Sequence, residues 1–447
     1  MTQRSVQGAI GEFVQSASAD WLAPARSAAA LSICDTLAVA FAAHNTPIVQ
    51  KVRQFASTEA TGSKVVPLWG VGDGALPELA ALFNGVAAHA LDFDDVATAW
   101  RGHPSAVLLP ALAAVSSIAD DATGLLDAYI VGYEVGAALG RAIIKHHYGI
   151  GWHSTSTIGV IAATAACCRL LNYNPSMTAN AIGLAVAQAG GLQANFGTDA
   201  KALQAGFASA AAVRATLLAR VGVTSGGSVM EGPAGFESLY GGSLGRLNAE
   251  IDSLGKAGPV LVGGTEIKVF PTCYATHRAL AAASKLRSGH SFTLEEITSI
   301  KITGTPGSHT PLRNAPPLSP DEAKFHIATC VGLILTKGSI SLNDFADGRF
   351  ASAPVKHLAS LANVEECDFG RPGRIARVSI SLGERTIAAE VEQLPRVDWT
   401  DATWIQKLCN CLAVTSKSQK DRCVTLALNF VGAGFERCVH MGFGLPN

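Results

Sequence analysis

The stretch HALDFDDVATAWRGHPS, residues 89–105, holds three acids, two histidines and an arginine in 17 positions. Asp92, Asp94, Asp95 and His103 are groups that can carry protons, and Arg101 can grip a carboxylate through two parallel N–H bonds. A plainer reading stands beside this one. Asp caps helices and His-Pro makes turns, so Asp94 and Asp95 are equally well read as caps between two core helices. Acids beside histidines also suit a metal ion. No ligand spacing such as H-E-x-x-H occurs, and no metal is expected.

Three further clusters carry reactive side chains. KHHYGIGWHSTSTIG (145–159) sets Tyr148, Trp152 and His153 beside glycines and ahead of an apolar run. Its hydroxyls at Ser154, Thr155, Ser156 and Thr157 suit a helix cap, whose N–H groups attract anions. The plainer reading is capping, with His153 a core histidine. In NFGTDAKALQAG (195–206), Lys201 precedes an Ala-rich helix and by itself reads as a solvated surface lysine. In GGTEIKVFPTCYATHRAL (263–280), Lys268 lies among Ile267, Val269 and Phe270. A partly buried lysine near other cations loses its proton more easily and can act as a base. Cys273 and His277 are four residues apart and share a face if a helix starts after Pro271. A nucleophile and its base would fit there, and so would a core thiol with a buried imidazole.

The elements that must hold these groups are mostly helical. SAAALSICDTLAVAFAAH (27–44), LPELAALFNGVAAHAL (76–91) and AVLLPALAAVSSIA (106–119) are apolar on most faces, as buried helices are. STIGVIAATAACCRLL and LQAGFASAAAVRATLLARV continue the pattern. VTSGGSVMEGPAGFESLYGGSLGRL is Gly-rich and irregular, and reads as a loop region between domains. From about residue 294 the period changes. ITSIKITG alternates like a strand, EAKFHIATCVGLILTKG (322–338) is helical, and RIARVSISLGERTIAAEVEQ (374–393) reads as a hairpin turning at Gly383-Glu384-Arg385. The tail, with WIQKLCNCLAV and LALNFVGAGF, returns to helix. It is expected to pack on the first domain and make it discontinuous: residues 1–264 with 396–447, against 265–395.

Composition bounds the function. Residues classed as hydrophobic make up 48% of the 447 and charged ones 15%, so part of the surface is expected to be covered in an oligomer. A net charge of −1 and the lack of a basic stripe exclude a nucleic-acid partner. No signal pattern opens the chain, and no run nears the roughly 18 uninterrupted apolar residues of a membrane helix. Ten scattered cysteines without C-x-x-C point to a reduced, cytoplasmic protein. No dinucleotide or phosphate-loop motif is present, and GGSLG (241–245) lacks the strand a nucleophile elbow needs.

HALDFDD…RGHPSAVLLPA, HYGIGWHSTSTIG, NFGT..K…AG, EGPAGF, K.FP.CYATH and EAKF…G.ISLNDF occur in this order. Together they resemble the MmgE/PrpD family from about residue 10 to 395. That family includes 2-methylcitrate dehydratase, cis-aconitate decarboxylase and iminodisuccinate epimerase. RGHPS, HY..GWH.TSTIG and P.CYA.H are most similar to the epimerase. The resemblance implies a mainly α fold, with a large all-helical domain and a smaller α+β lid domain, assembled as a homodimer. It implies a cofactor-independent isomerase or lyase acting on a small di- or tricarboxylate. Tyr148 and Lys268 would be the acid–base pair, with His153 a further catalytic candidate. Asp92, His103 and Lys201 match other pocket positions. Arg101 would clamp a carboxylate, and Cys273 and His277 lie in the last motif. The chain departs from the family's GTMTK.LHAG in carrying Asp199 and Gln204. It also has Val96 where the decarboxylase branch has Thr, and Cys273 where that branch often has His.

The chemistry so implied starts beside a carboxylate. Loss of a proton or a leaving group there builds charge that fixed cations in a dry cleft stabilise. Epimerisation, dehydration and decarboxylation all remain open at this point. A non-catalytic carboxylate-binding homologue is the reading from another class.

Overall fold

The computed structural model describes residues 4–57, 66–71, 74–119 and 124–412. The long apolar runs are helices, among them Arg26–Ala42, Pro77–His89, Ser105–Ser116, Gly159–Leu170 and Asp199–Arg220. They bury nearly every face, because alanine and glycine let neighbours approach closely. A Cβ on Gly85 would lie 2.8 Å from the Gly206 Cα, and one on Gly206 would lie 2.5 Å from the Leu82 carbonyl oxygen. This backbone contact draws the end of Pro77–His89, with His89, to the start of Asp199–Arg220, with Lys201. Windows of 19–42 and 199–220 are long and apolar enough to cross a membrane, yet 72% of each is buried within the protein, as in core helices.

The longest helix, Leu125–Gly149, delivers Tyr148 at its last turn. Gly136 and Gly140 on this helix form a notch for Trp100, which is fully buried. That anchor holds the loop 90–104. The Asp95 carboxylate accepts from the Ser105 N–H (3.2 Å) and hydroxyl (2.8 Å), and so caps helix Ser105–Ser116. The loop is also pinned by a two-stranded antiparallel ladder of Val96–Ala97 with Thr265–Glu266. This ladder and another, Val66–Pro67 with Gly74–Ala75, are departures from an all-helical first part.

The Gly-rich passage is not a connection between domains. Its short helices Phe236–Gly241 and Arg246–Asp252 pack on Leu125–Gly149, with Met230, Phe236 and Leu247 buried in the first core. Glycines that break a helix pattern in the sequence serve here as turns between one-turn helices.

A second core lies between residues 279 and 391. Its sheet has the order Ala362–Glu366, Ile297–Gly304, Ala376–Leu382, Arg385–Val391. The first pair is parallel and the others antiparallel. The expected hairpin forms at Gly383, whose φ is +61°. Helices His277–Gly289 and Ile327–Lys337 pack against this sheet. The chain then returns to the first core: Trp404, Leu408 and Cys409 of helix Ala402–Cys411 are buried there against Arg26–Ala42. LALNFVGAGF lies outside the described residues. No disulfide forms among the described residues.

Candidate active site

One cavity is walled by both cores. Asp92, Arg101, His103, Tyr148, His153 and Lys201 come from the first part of the chain, and Cys273, Arg278, His309 and Arg374 from the second. Two of these residues carry backbone strain. Asp92 (φ 51°) and Arg101 (φ 48°) are left-handed without being glycine. Such conformations persist where surrounding contacts over-determine them.

Asp92 sits at the centre of a buried charge network. Lys268 Nζ donates to its carboxylate Oδ1 (2.6 Å) and to its own main-chain carbonyl (2.8 Å). Lys201 Nζ donates to the same Oδ1 (3.1 Å) and to His89 Nε2 (2.8 Å). The other side of the His89 ring meets Asp94 at 2.9 Å. Burial alone would raise the Asp92 carboxyl, but Lys201, Lys268 and the nearby imidazoles hold it well below the usual carboxylate range. Asp92 Oδ2 is buried with no hydrogen-bond partner in the protein. The site therefore carries a carboxylate bound from below by two ammonium groups.

Two of the cavity histidines, His103 and His153, have their tautomers fixed. His103 Nδ1 lies 2.9 Å from the Asp95 carbonyl oxygen, which can only accept, so Nδ1 carries the proton. Gln204 donates its amide N–H to the Leu192 carbonyl (3.1 Å), which turns its Oε1 to His153 Nδ1 at 3.0 Å. Nδ1 of His153 is thereby the protonated nitrogen, and Nε2 of each ring is left as a base. Burial pushes His103 down to about 3. Burial and then the Lys201 charge hold His153 well below its ordinary value. Both rings are neutral at pH 7. Tyr148 behaves oppositely: burial raises its phenol, so it stays protonated and can donate. The Arg101 guanidinium lies over its ring, 5.3 Å from the centroid.

Three guanidiniums, Arg101, Arg278 and Arg374, line the same space. Burial, then Arg101 and Arg278, push Arg374 down to about 10. Crowded like charges of this kind are relieved by an anion. Glu266 feels the charges of Arg278 and Arg374, yet burial raises its carboxyl.

Of the nine residues given a site role by the family resemblance, Asp92, Arg101, His103, Tyr148, His153, Lys201 and Cys273 line the cavity, and Lys268 and His277 do not. Lys268 is fully buried one layer beneath, behind Asp92. His277 lies between the Phe270 and Tyr274 rings, with Nε2 3.3 Å from the Thr272 carbonyl oxygen, and does not line the cavity. The Cys273–His277 pair does not form either. The helix starts at His277, so Cys273 precedes it on extended backbone, and burial pushes its thiol up to about 11. Lys201 is no surface lysine: the helix crossing buries it to 6% exposure. Asp94 binds His89 and leaves capping to Asp95.

The hydroxyls of Ser154 and Thr155 hold the 90–104 loop rather than capping a helix, and that of Thr157 bonds His147 Nε2 at 2.7 Å. Ser154 donates to the Arg101 carbonyl (3.0 Å) and Thr155 accepts the His103 N–H (3.2 Å). Asp199 faces away, paired with Lys51 at 2.8 Å on the surface. Sequence reasoning missed Arg278, His309 and Arg374. Arg278 directly follows His277 in a quoted motif, whereas nothing local marks Arg374.

His89, Asp92, Asp94 and His103 bring potential metal-ligating atoms within 4.8 Å of one another. The Lys201 ammonium already bonds two of these residues and supplies the cation such a cluster calls for.

A cavity between two cores that gathers guanidiniums, imidazoles and a protonated phenol has the charge and chemistry to hold a small polyanion. Residues 8–244 match the MmgE/PrpD N-terminal domain and residues 270–429 the MmgE/PrpD C-terminal domain. The chain belongs to the MmgE/PrpD family and is an enzyme of that type. It is 28% identical to cis-aconitate decarboxylase of Mus musculus over 390 residues, covering 80% of this chain and 75% of that protein. With the Homo sapiens cis-aconitate decarboxylase the identity is 28% over 347 residues, 74% and 70% of the two chains. A cis-aconitate decarboxylase-like protein of Aspergillus oryzae is 27% identical over 351 residues, 72% of each.

Proposed function

We propose that the protein is a cofactor-independent lyase acting on a small tricarboxylate through a carbanion-like intermediate. One observation carries this: three guanidiniums and the Lys201 ammonium share a cavity with the neutral imidazoles of His103 and His153 and a protonated phenol. The cations bind carboxylates and stabilise charge as it develops. The relatives named for cis-aconitate support a tricarboxylate. For that acid, the bond to the carboxylate on the CH2 carbon breaks and CO2 leaves. Its electron pair forms a new C=C, and the old C=C pair moves to the carbon beside another carboxylate. A proton from Tyr148 then completes the product. The working unit is a homodimer. Phe207 and Leu218, on one stripe of helix Asp199–Arg220, and Val221 at its C-terminal end, 55%, 37% and 76% exposed, are the apolar face a second copy would cover.

Epimerisation is the second reading: it needs a base and an acid on opposite faces of one carbon, and the cavity holds imidazoles and the Tyr148 phenol. The Lys268–Tyr148 pair would require Lys268 to release both bonds to Asp92. Proton NMR in deuterated water separates the readings. Cis-aconitate should yield a five-carbon dicarboxylate bearing one deuterium, with loss of CO2. Exchange at the acidic carbon of a saturated dicarboxylate, with every carbon retained, would replace this with epimerisation. Neither signal would refute both.

Arg374→Gln removes one carboxylate-binding group from the cavity lining. Lost charge-assisted bonds to substrate amount to about 1.5–3 kcal/mol, so KM should rise about 10- to 100-fold while kcat changes little. Steady-state kinetics on the same substrate measures this split.

A further inference from the structure

Lys407 lies on the helix Ala402–Cys411 and is 5% exposed. Its ammonium has three N–H groups and three acceptors: the Asp35 carboxylate at 2.8 Å, the Phe93 carbonyl at 2.7 Å and the Lys268 carbonyl at 3.0 Å. It also lies over the Phe93 ring, 4.1 Å from the centroid. Asp35 takes a further bond from Trp404 Nε1 at 3.1 Å, so the carboxylate is held by the same helix. Lys407 is thus saturated, and it does not line the cavity.

Its acceptors are the significant point. Phe93 follows Asp92, and the other carbonyl belongs to Lys268 itself. The Lys268 side chain reaches back to Asp92, at 2.6 Å to the carboxylate and 2.8 Å to the carbonyl. Two distant segments are therefore stitched twice, once by each lysine, around an Asp92 held in a left-handed conformation. A buried ammonium–carboxylate pair is often no more stabilising than a well-packed apolar pair, so stability alone does not call for a lysine here. Geometry does.

We propose that Lys407 is a positioning residue: through its bonds to the Phe93 and Lys268 carbonyls, the C-terminal helix sets the spacing of Asp92 and Lys268 beneath the cavity and so the geometry of the acid–base site. The kinetic part of the test rests on the function proposed above; the crystallographic part does not.

The test is the double variant Lys407→Met with Asp35→Asn, which leaves no lone buried charge. Displacing reacting groups by about 1 Å can cost about 100-fold, so kcat on cis-aconitate should fall by about that factor. KM, and the Kd of the unreactive analogue tricarballylate, should stay within about threefold, since the cavity cations are untouched. A loss of packing alone would not spare binding in this way. In a crystal structure of the variant, Asp92 should leave its left-handed φ or part from Lys268. Unchanged Asp92 and Lys268 positions, or a kcat within about threefold of wild type, overturn the proposal. If the wild-type protein turns over no cis-aconitate, the proposed function fails, and the Asp92 and Lys268 coordinates in the variant decide this inference either way. Should the double variant not fold, Lys407→Gln with Asp35→Asn, which keeps an amide donor in place of the ammonium and leaves no lone buried charge, is judged by the same two readouts, with a kcat loss of about tenfold expected.

Discussion

Lys268→Met should lower kcat/KM about a thousandfold, although Lys268 does not line the cavity. Its ammonium is the shortest contact of the Asp92 carboxylate and also holds the Asp92 carbonyl. Removing one partner from a buried ion pair costs about 3–5 kcal/mol, and a thousandfold in rate is about 4.1 kcal/mol. With Lys268 gone, Asp92 keeps Lys201 as its ammonium partner and draws it from His89, or takes up a proton. Both outcomes change the charge beneath the substrate. The lone Asp92 charge should also lower the melting temperature. The double variant Lys268→Met with Asp92→Asn removes that charge, so it should regain melting temperature without regaining turnover. Calorimetry with the NMR assay separates the two effects. Wild-type turnover in Lys268→Met would end the role given to this network.

Acid should unfold the protein steeply below about pH 6, the range in which histidines of an unfolded chain take up protons. Burial holds His89, His103, His147, His153 and His277 below their ordinary value, His103 to about 3 and His147 to about 4. Unfolded, each binds a proton near pH 6.5; folded, each resists until lower pH. The unfolded state therefore gains protons first, and stability falls by about 1.4 kcal/mol per pH unit for each such histidine. Asp95 opposes this. Burial, then the Asp94 charge, raises it to about 7, so the folded state takes that proton first and gains stability as pH drops toward 4. Asp35 and Glu134, also raised by burial, act in the same direction. The histidines outnumber these acids. Nearer pH 4 the depressed carboxylates of Asp92 and Asp94 add to the loss. A net cost of several kcal/mol consumes much of a normal folding free energy of about 5–15 kcal/mol. Urea titrations from pH 8 to 4.5 should show the midpoint dropping sharply below pH 6, and less sharply in His147→Asn. A flat midpoint would contradict the neutral-histidine assignment.

Much of the architecture could be read along the chain. Runs that are apolar on every face become buried helices, and the 2-residue alternation around Gly383 becomes the hairpin. Such patterns depend on near neighbours, so they survive without tertiary information. The Gly-rich passage was misread for the same reason. Its turns are local, but the packing of Phe236 and Leu247 on a distant helix is not.

The site divides in the same way. Asp92, Arg101, His103, Tyr148, His153, Lys201 and Cys273 stand in motifs and meet in one cavity. Lys268 was legible as a buried lysine, but its engagement by Asp92 was not. Arg374 and Lys407 carried no mark at all, since an arginine before a strand and a lysine in a helix are ordinary residues.

The amino-acid order by itself determined which residue types are available and which segments become helix or strand, because those depend on side-chain periodicity over a few residues. Only the tertiary structure decided which charges are buried together. The burial of Lys201, the tautomers of His103 and His153 and the crowding at Arg374 arise from groups far apart in the chain. Electrostatic strength depends on distance and on exclusion of water, and both are set when the two cores close on one another.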